Sequence, residues 1–179
     1  GFNKGLEIHH DGDLPARSGL GSSSTFTVGL LHALSALKHQ MPTKRELAIH
    51  AIHIEQERIK ENVGSQDQTA AAFGGLNRID FGGPQKINVQ PLMIIPEKYQ
   101  QLESSLLLFF TGFSRTASDI AVEQIRRING KKKYLKKMIE LVEESVKVLQ
   151  NEDDNLTDFG KLLHEQWMIK RRLSPIVTN

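Results

Sequence analysis

The chain has 179 residues, 39% hydrophobic and 25% charged, a balance that fits one large or two small globular domains. Lysine and arginine number 23 against 21 acidic residues, and the resulting net charge of +2 excludes a strong field for nucleic acid or a membrane surface. Zero cysteines exclude disulfides, thiolate catalysis and cysteine-bound zinc. No run approaches the roughly 18 apolar residues of a spanning helix, and the opening residues lack the apolar centre of a secretion signal, so a cytoplasmic location is expected. The chain begins at Gly1 rather than methionine and stops at Asn179 just after a helix-like stretch, which leads us to expect a segment of a longer protein.

In chain order, Leu6 and Ile8 alternate with polar neighbours ahead of Asp11-Gly12-Asp13, a pattern that predicts a short strand entering a turn. Phe26, Leu30, Leu31, Leu34 and Leu37 recur at helical spacing and predict a buried helix from about Ser22 to His39. Thr43 and Glu46 form a capping box that opens a second helix running to about Glu61. Ser65 is placed to cap a short helix over Gln66 to Phe73, ended by Gly74 and Gly75. Leu76 to Phe81 and Lys86 to Met93 read as a hairpin, Pro96 as the first turn of a short helix, and Leu106 to Phe110 as a buried strand. Three helices follow, starting near Thr116, Lys131 and Thr157, with Trp167 expected in the core. In the middle one Leu135, Met138, Leu141 and Val142 make the buried side, and Lys131, Lys132, Lys133, Lys136 and Lys137 a solvated face. Mixed early elements and a helical tail predict an α+β class, with a boundary near residue 100.

The strongest chemical signal is Pro15-Ala16-Arg17-Ser18-Gly19-Leu20-Gly21-Ser22-Ser23-Ser24, set between the expected strand and the long helix. Glycines allow close approach of the backbone to an anion, and the first helical turn offers unpaired N–H groups at the positive end of its dipole. Phosphate is the expected guest, although a turn that merely caps the helix fits the same residues. No Walker lysine is present. Glu55 falls on an apolar stripe with Ala48, Ile52 and Ile59, where a carboxylate needs a cation, a hydrogen-bond donor or a metal; a lysine or arginine partner and a metal are both open. Asp67, in Gly64-Ser65-Gln66-Asp67-Gln68, sits at a helix start that favours an acid, and beside a phosphate loop it also supplies a proton acceptor for a substrate hydroxyl. His50, His53 and Glu57 lack any zinc-site spacing.

The order PARSGLGSSS, a helix bearing Glu55, then GSQDQ resembles the galactokinase, homoserine kinase, mevalonate kinase and phosphomevalonate kinase (GHMP) family. The resemblance implies an incomplete two-domain α+β kinase fold, with residues 1–100 in the N-terminal domain and 101–179 in the C-terminal one. It implies ATP bound by Pro15, Arg17, Ser18, Gly19, Leu20, Gly21, Ser22, Ser23 and Ser24. It further implies magnesium on Ser23 and Glu55, and Asp67 as the catalytic residue, either base toward the acceptor hydroxyl or stabiliser of the active geometry. Gln66, Gly112 and Arg115 are the candidate substrate contacts. DLPARSGLGSSSTFTVGLLHAL, ENVGSQDQTAAAFGGLNRI and LLLFFTGFSRTASDIAVEQI look most like bacterial D-glycero-D-manno-heptose 7-phosphate kinases, which implies a sugar phosphate as second substrate and no nucleic-acid or membrane partner. The family's amino-terminal basic, glycine-rich motif and carboxyl-terminal glycine-rich motif are absent, so the isolated 179 residues are expected to turn over weakly or not at all.

Overall fold

The computed structural model describes residues 2, 4–13, 19–83, 86–109, 130–153 and 155–173. Three helices build the part that carries the candidate residues: α1 (Ser22–Leu37), α2 (Lys44–His53) and α3 (Gln66–Phe73), which pack on one another in all three pairings. Their shared core is Val28, Leu47 and Ala51, with Leu31, Ala71 and Ala72 partly buried against it. The small residues Ala48 and Ala51 let α2 come close to its neighbours, and Ala51 is fully buried.

Local chemistry accounts for the helix limits. Thr43 caps α2 with both arms of the capping box: Glu46 N–H donates to the Thr43 hydroxyl at 3.2 Å and Thr43 N–H donates to Glu46 Oε2 at 2.7 Å. The helical path then widens into a π-turn over Ile54–Arg58, where Ile59 N–H reaches back to the Ile54 carbonyl at 2.9 Å. Gly74, at φ +63°, ends α3 as glycine allows without strain.

Strands β1 (Asn77–Phe81) and β2 (Ile87–Pro91) form an antiparallel hairpin in which Ile79 faces Val89 and Phe81 faces Ile87. Arg45 of α2 holds the hairpin by donating to the Ile87 carbonyl at 2.6 Å. Helix α4 (Pro96–Ser104) follows, then α5 (Lys132–Gln150) and α6 (Leu156–Leu173), which pack together over Leu141, Leu149 and Ile169. Two cations tie α5 to the preceding elements. Arg78 of β1 grips Glu143 with both terminal nitrogens at 2.7 and 2.6 Å and also meets Asp80, contacts that raise its guanidinium pKa, Glu143 most of all. The buried Lys98 ammonium donates to the Val148 carbonyl at 2.5 Å and to the Asn151 carbonyl, at the negative end of α5.

The class is α+β, as expected, but five local expectations fail. Residues 4–13 form no strand: Leu6 and Ile8 are 47% and 53% exposed, and the segment instead lies along α1, with Phe2 under the Lys38 ammonium and His10 edge-on to Phe26. Alternation yields a strand only when another backbone edge takes up its N–H and C=O groups, and among the described residues β1 and β2 pair only with each other. The same reason covers Leu106 to Phe109, which are 62–79% exposed and unpaired. Helix α1 buries one side only, Ser24 and Val28 being inside while Leu37 is 61% exposed. Trp167 is 42% exposed, because Ile169 takes the buried position of that turn of α6. On α5 Leu141 is buried but Val142 is exposed. The helix expected from Thr116 lies outside the described residues.

Removing the capping hydroxyl by Thr43→Ala is expected to cost about 1 kcal/mol, seen as a lower urea midpoint with an unchanged slope. The Glu46 carboxyl is held below its ordinary pKa first by the Thr43 backbone N–H and then by the Thr43 hydroxyl. Its folded value lies under its unfolded value, so its contribution is complete at neutral pH and disappears as pH falls through the folded value. Denaturation from neutral to acid pH should therefore show a flatter acid decline for Glu46→Gln than for the parent.

Candidate active site

The site begins with the geometry of one glycine. Gly21 adopts φ +72° and ψ 22° as the residue before α1, and no side chain caps that helix start. The first-turn N–H groups consequently have no acceptor within the helix, and their dipoles add at that end. Gly19 has φ +77°, so the stretch leading into the helix turns twice through a region that favours glycine.

Asp67 is set against this turn. A Cβ built on Gly21 would stand 3.4 Å from both Cβ and Cγ of Asp67 and 3.5 Å from its Oδ2. Asp67 occupies the second residue of α3, which packs on α1, and its side chain is exposed. The packing of α1 on α3 thereby brings a carboxylate to the uncapped helix start.

Glu55 is the third component, and it is only 1% exposed. It lies in the π-turn, on the side that Ala48 and Ala51 of α2 also bury, and its Oε2 accepts the Ser24 hydroxyl at 2.9 Å and the Gln68 side-chain amide at 2.5 Å. Both donors are themselves buried, at 5% and 1% exposure. No lysine, arginine or histidine forms an ion pair with Glu55 among the described residues, and the Ser24 hydroxyl and Gln68 amide that bond to it are neutral. Among the described residues Oε1 of Glu55 has no hydrogen-bond partner, nor does Oε1 of Gln68.

The other candidate residues divide clearly. Ser23 is exposed, and its neighbour Ser24 donates to the Glu55 carboxylate; the Ser23 carbonyl accepts the Thr27 hydroxyl at 3.1 Å. Leu20 and Gln66 are exposed, and Ser22 is partly buried at the helix start. Pro15, Arg17, Ser18, Gly112 and Arg115 lie outside the described residues. Gln68 escaped the sequence reading as a working residue; the available signal was the demand of an acid on an apolar stripe for a donor, without any indication of which element would provide it.

Residues 1–75, which span the glycine turn, Glu55 and Asp67, match the family model described as the GHMP kinases N terminal domain. Over these residues the chain belongs to the GHMP kinase family. The whole chain is 34% identical over 177 residues to a D-glycero-alpha-D-manno-heptose 7-phosphate kinase of Campylobacter jejuni, an alignment covering 97% of this chain and 51% of that protein. It is 26% identical to a bifunctional fucokinase/GDP-fucose pyrophosphorylase of Arabidopsis thaliana, over 98% of this chain and 17% of that protein, and 29% identical to a galactokinase of Pyrococcus furiosus, over 91% and 42%. A Campylobacter jejuni protein assigned as a sugar kinase, with a 2.4 Å crystal structure, superposes with a TM-score of 0.55 at 31% identity, covering 89% of this chain and 43% of that one. The chain thus spans about half the length of the heptose 7-phosphate kinase and less of the other relatives.

Within this GHMP kinase domain Gly21→Ala is expected to be costly on conformational grounds. The left-handed backbone alone should remove roughly 1–2 kcal/mol of stability, measured by urea denaturation, because the added methyl would meet Asp67 only at ordinary contact distance.

Proposed function

We propose that the full-length protein is an ATP-dependent sugar kinase that transfers the γ-phosphate to the anomeric hydroxyl of a sugar phosphate, with D-glycero-D-manno-heptose 7-phosphate as the leading substrate. The observation that carries the reading is the placement of the Asp67 carboxylate against Gly21 at an uncapped helix start. An anion site and a proton acceptor in contact are what transfer of a phosphoryl group to a hydroxyl requires. The similarity to a heptose 7-phosphate kinase supports the substrate class. Residues 1–100 are assigned to the N-terminal kinase domain and 101–179 to part of the C-terminal one, and ATP as phosphate donor points to a cytoplasmic setting.

In this reading the backbone from Gly19 to Ser24 holds the β- and γ-phosphates, with the hydroxyls of Ser22 and Ser23 adding hydrogen bonds. Pro15, Arg17 and Ser18 extend that loop, and Gln66, Gly112 and Arg115 contact the sugar. Asp67 orients the acceptor hydroxyl and takes its proton as the oxygen attacks phosphorus in line. The residues fit a magnesium ion: Glu55 has a buried carboxylate oxygen with no partner, and magnesium takes hard oxygen ligands, one or two of them carboxylates. Glu55, with Ser23, would hold the ion, and when bound it supplies charge neutralisation on the phosphates. The protein's share of the catalysis is mostly positioning and electrostatics.

A kinase for an unphosphorylated sugar is the second reading, favoured by the similarity to a fucokinase and a galactokinase. Assays of the full-length protein on heptose 7-phosphate, galactose and fucose should give the highest kcat/KM for the phosphorylated sugar; a preference for a free sugar would select the second reading. Asp67→Asn keeps the size but not the base, and turnover should fall by roughly two to four orders of magnitude. A loss under about tenfold would remove Asp67 from this role.

A further inference from the structure

The mode of holding Glu55 goes beyond the assignment of a phosphoryl-transfer site. Its partners come from two different helices, Ser24 on α1 and Gln68 on α3, and both donate to the same oxygen, Oε2. The other oxygen is buried and unpartnered. A donor pair whose only task was to neutralise a buried acid would gain more by satisfying both oxygens, because each unpaired buried polar atom carries a desolvation cost. The arrangement instead fixes the rotation of the carboxylate and reserves one oxygen.

We propose that Gln68 and Ser24 are positioning residues that clamp Glu55 Oε2 so that Oε1 stays free as a ligand for the divalent cation. Gln68 carries the greater part. Its amide is 2.5 Å from the carboxylate and 1% exposed, so its donor is confined to one geometry, whereas the serine hydroxyl rotates about a single bond. Gln68 also follows Asp67 directly in α3, so one short helix sets both the proton acceptor and the clamp. An ion bound at Glu55 would then be sensitive to any change that slides α3 along α1. Partners of this kind, which touch the ligand side chain but not the metal, typically change metal affinity by 10–100-fold when removed.

The inference rests on the kinase reading, and the test separates the two. Free Mn2+ is measured by electron paramagnetic resonance during titration of the full-length protein saturated with a non-hydrolysable ATP analogue. Gln68→Met and Ser24→Ala should each weaken Mn2+ binding, by roughly 10-fold or more for Gln68→Met, while the analogue affinity of Gln68→Met in EDTA stays within about twofold of the parent, the scatter allowed for a site whose fold is intact. Unchanged Mn2+ affinity in both variants, alongside a loss in Glu55→Gln, overturns the clamp and leaves the kinase reading standing. No loss even in Glu55→Gln removes Glu55 as a ligand, and the clamp with it. An equal fall of analogue affinity in EDTA marks general damage and also overturns the clamp. Should Gln68→Met fail to fold, Gln68→Asn decides by the same criteria, since it keeps a buried amide but shortens its reach by one methylene.

Discussion

A carboxylate taken out of water with only neutral partners among the described residues is the constraint on which the rest of this structure turns. Desolvating such a group costs several kcal/mol even after relaxation, and hydrogen bonds to a charged group return roughly 1.5–3 kcal/mol each. The two donors to Glu55 therefore offset much of the cost, but both act on one oxygen and the second is left bare. Three elements must come together for even this partial compensation: the first turn of α1, the π-turn after α2 and the first turn of α3 all converge on one side chain. Their convergence also carries Asp67 to the glycine turn, since Asp67 and Gln68 are adjacent in α3.

The contrast with other buried or half-buried charges is instructive. Lys98 is as hidden as Ser24, yet its ammonium is met by two carbonyls at a helix end, and Arg78 is gripped by Glu143 and Asp80. Those cations act as staples between the hairpin, α4 and α5, and the structure completes their bonding. The start of α1 and the free oxygen of Glu55 are left incomplete. Among the described residues the helix starts at Gln66, Pro96 and Lys132 also lack a side-chain cap, and Oε1 of Gln68 and of Gln166 are also buried without a partner; the start of α1 and Glu55 differ in lying beside the same carboxylate-bearing helix, α3.

The π-turn has a related part in this arrangement. Glu55 lies four residues beyond Ala51 and seven beyond Ala48, and all three are buried, so the phase of α2 already turns the acid inward. The widening over Ile54–Arg58 occurs on that same turn, and the chain then leaves the helix through Lys60 at φ +63°. π-turns of this sort recur at functional sites.

Much of the fold was legible in the residue order because the determining interactions are local. The Thr43–Glu46 box, the glycines that stop α3, the hairpin turn at Gly82 and Gly83 and the proline opening α4 each depend on neighbours within a few positions. The sequence also marked Glu55 as an acid in need of a partner and placed the glycine–serine tract ahead of a helix. It did not reveal that Ser24 rather than Ser23 meets Glu55, that Gln68 completes the contact, that Leu106 to Phe109 and Trp167 remain exposed, or that Asp67 lies over Gly21. Each of those depends on the rotation and depth at which one helix packs against another, or on whether a second strand is present to pair with. Such quantities are set by long-range packing between segments tens of residues apart, so no local pattern encodes them.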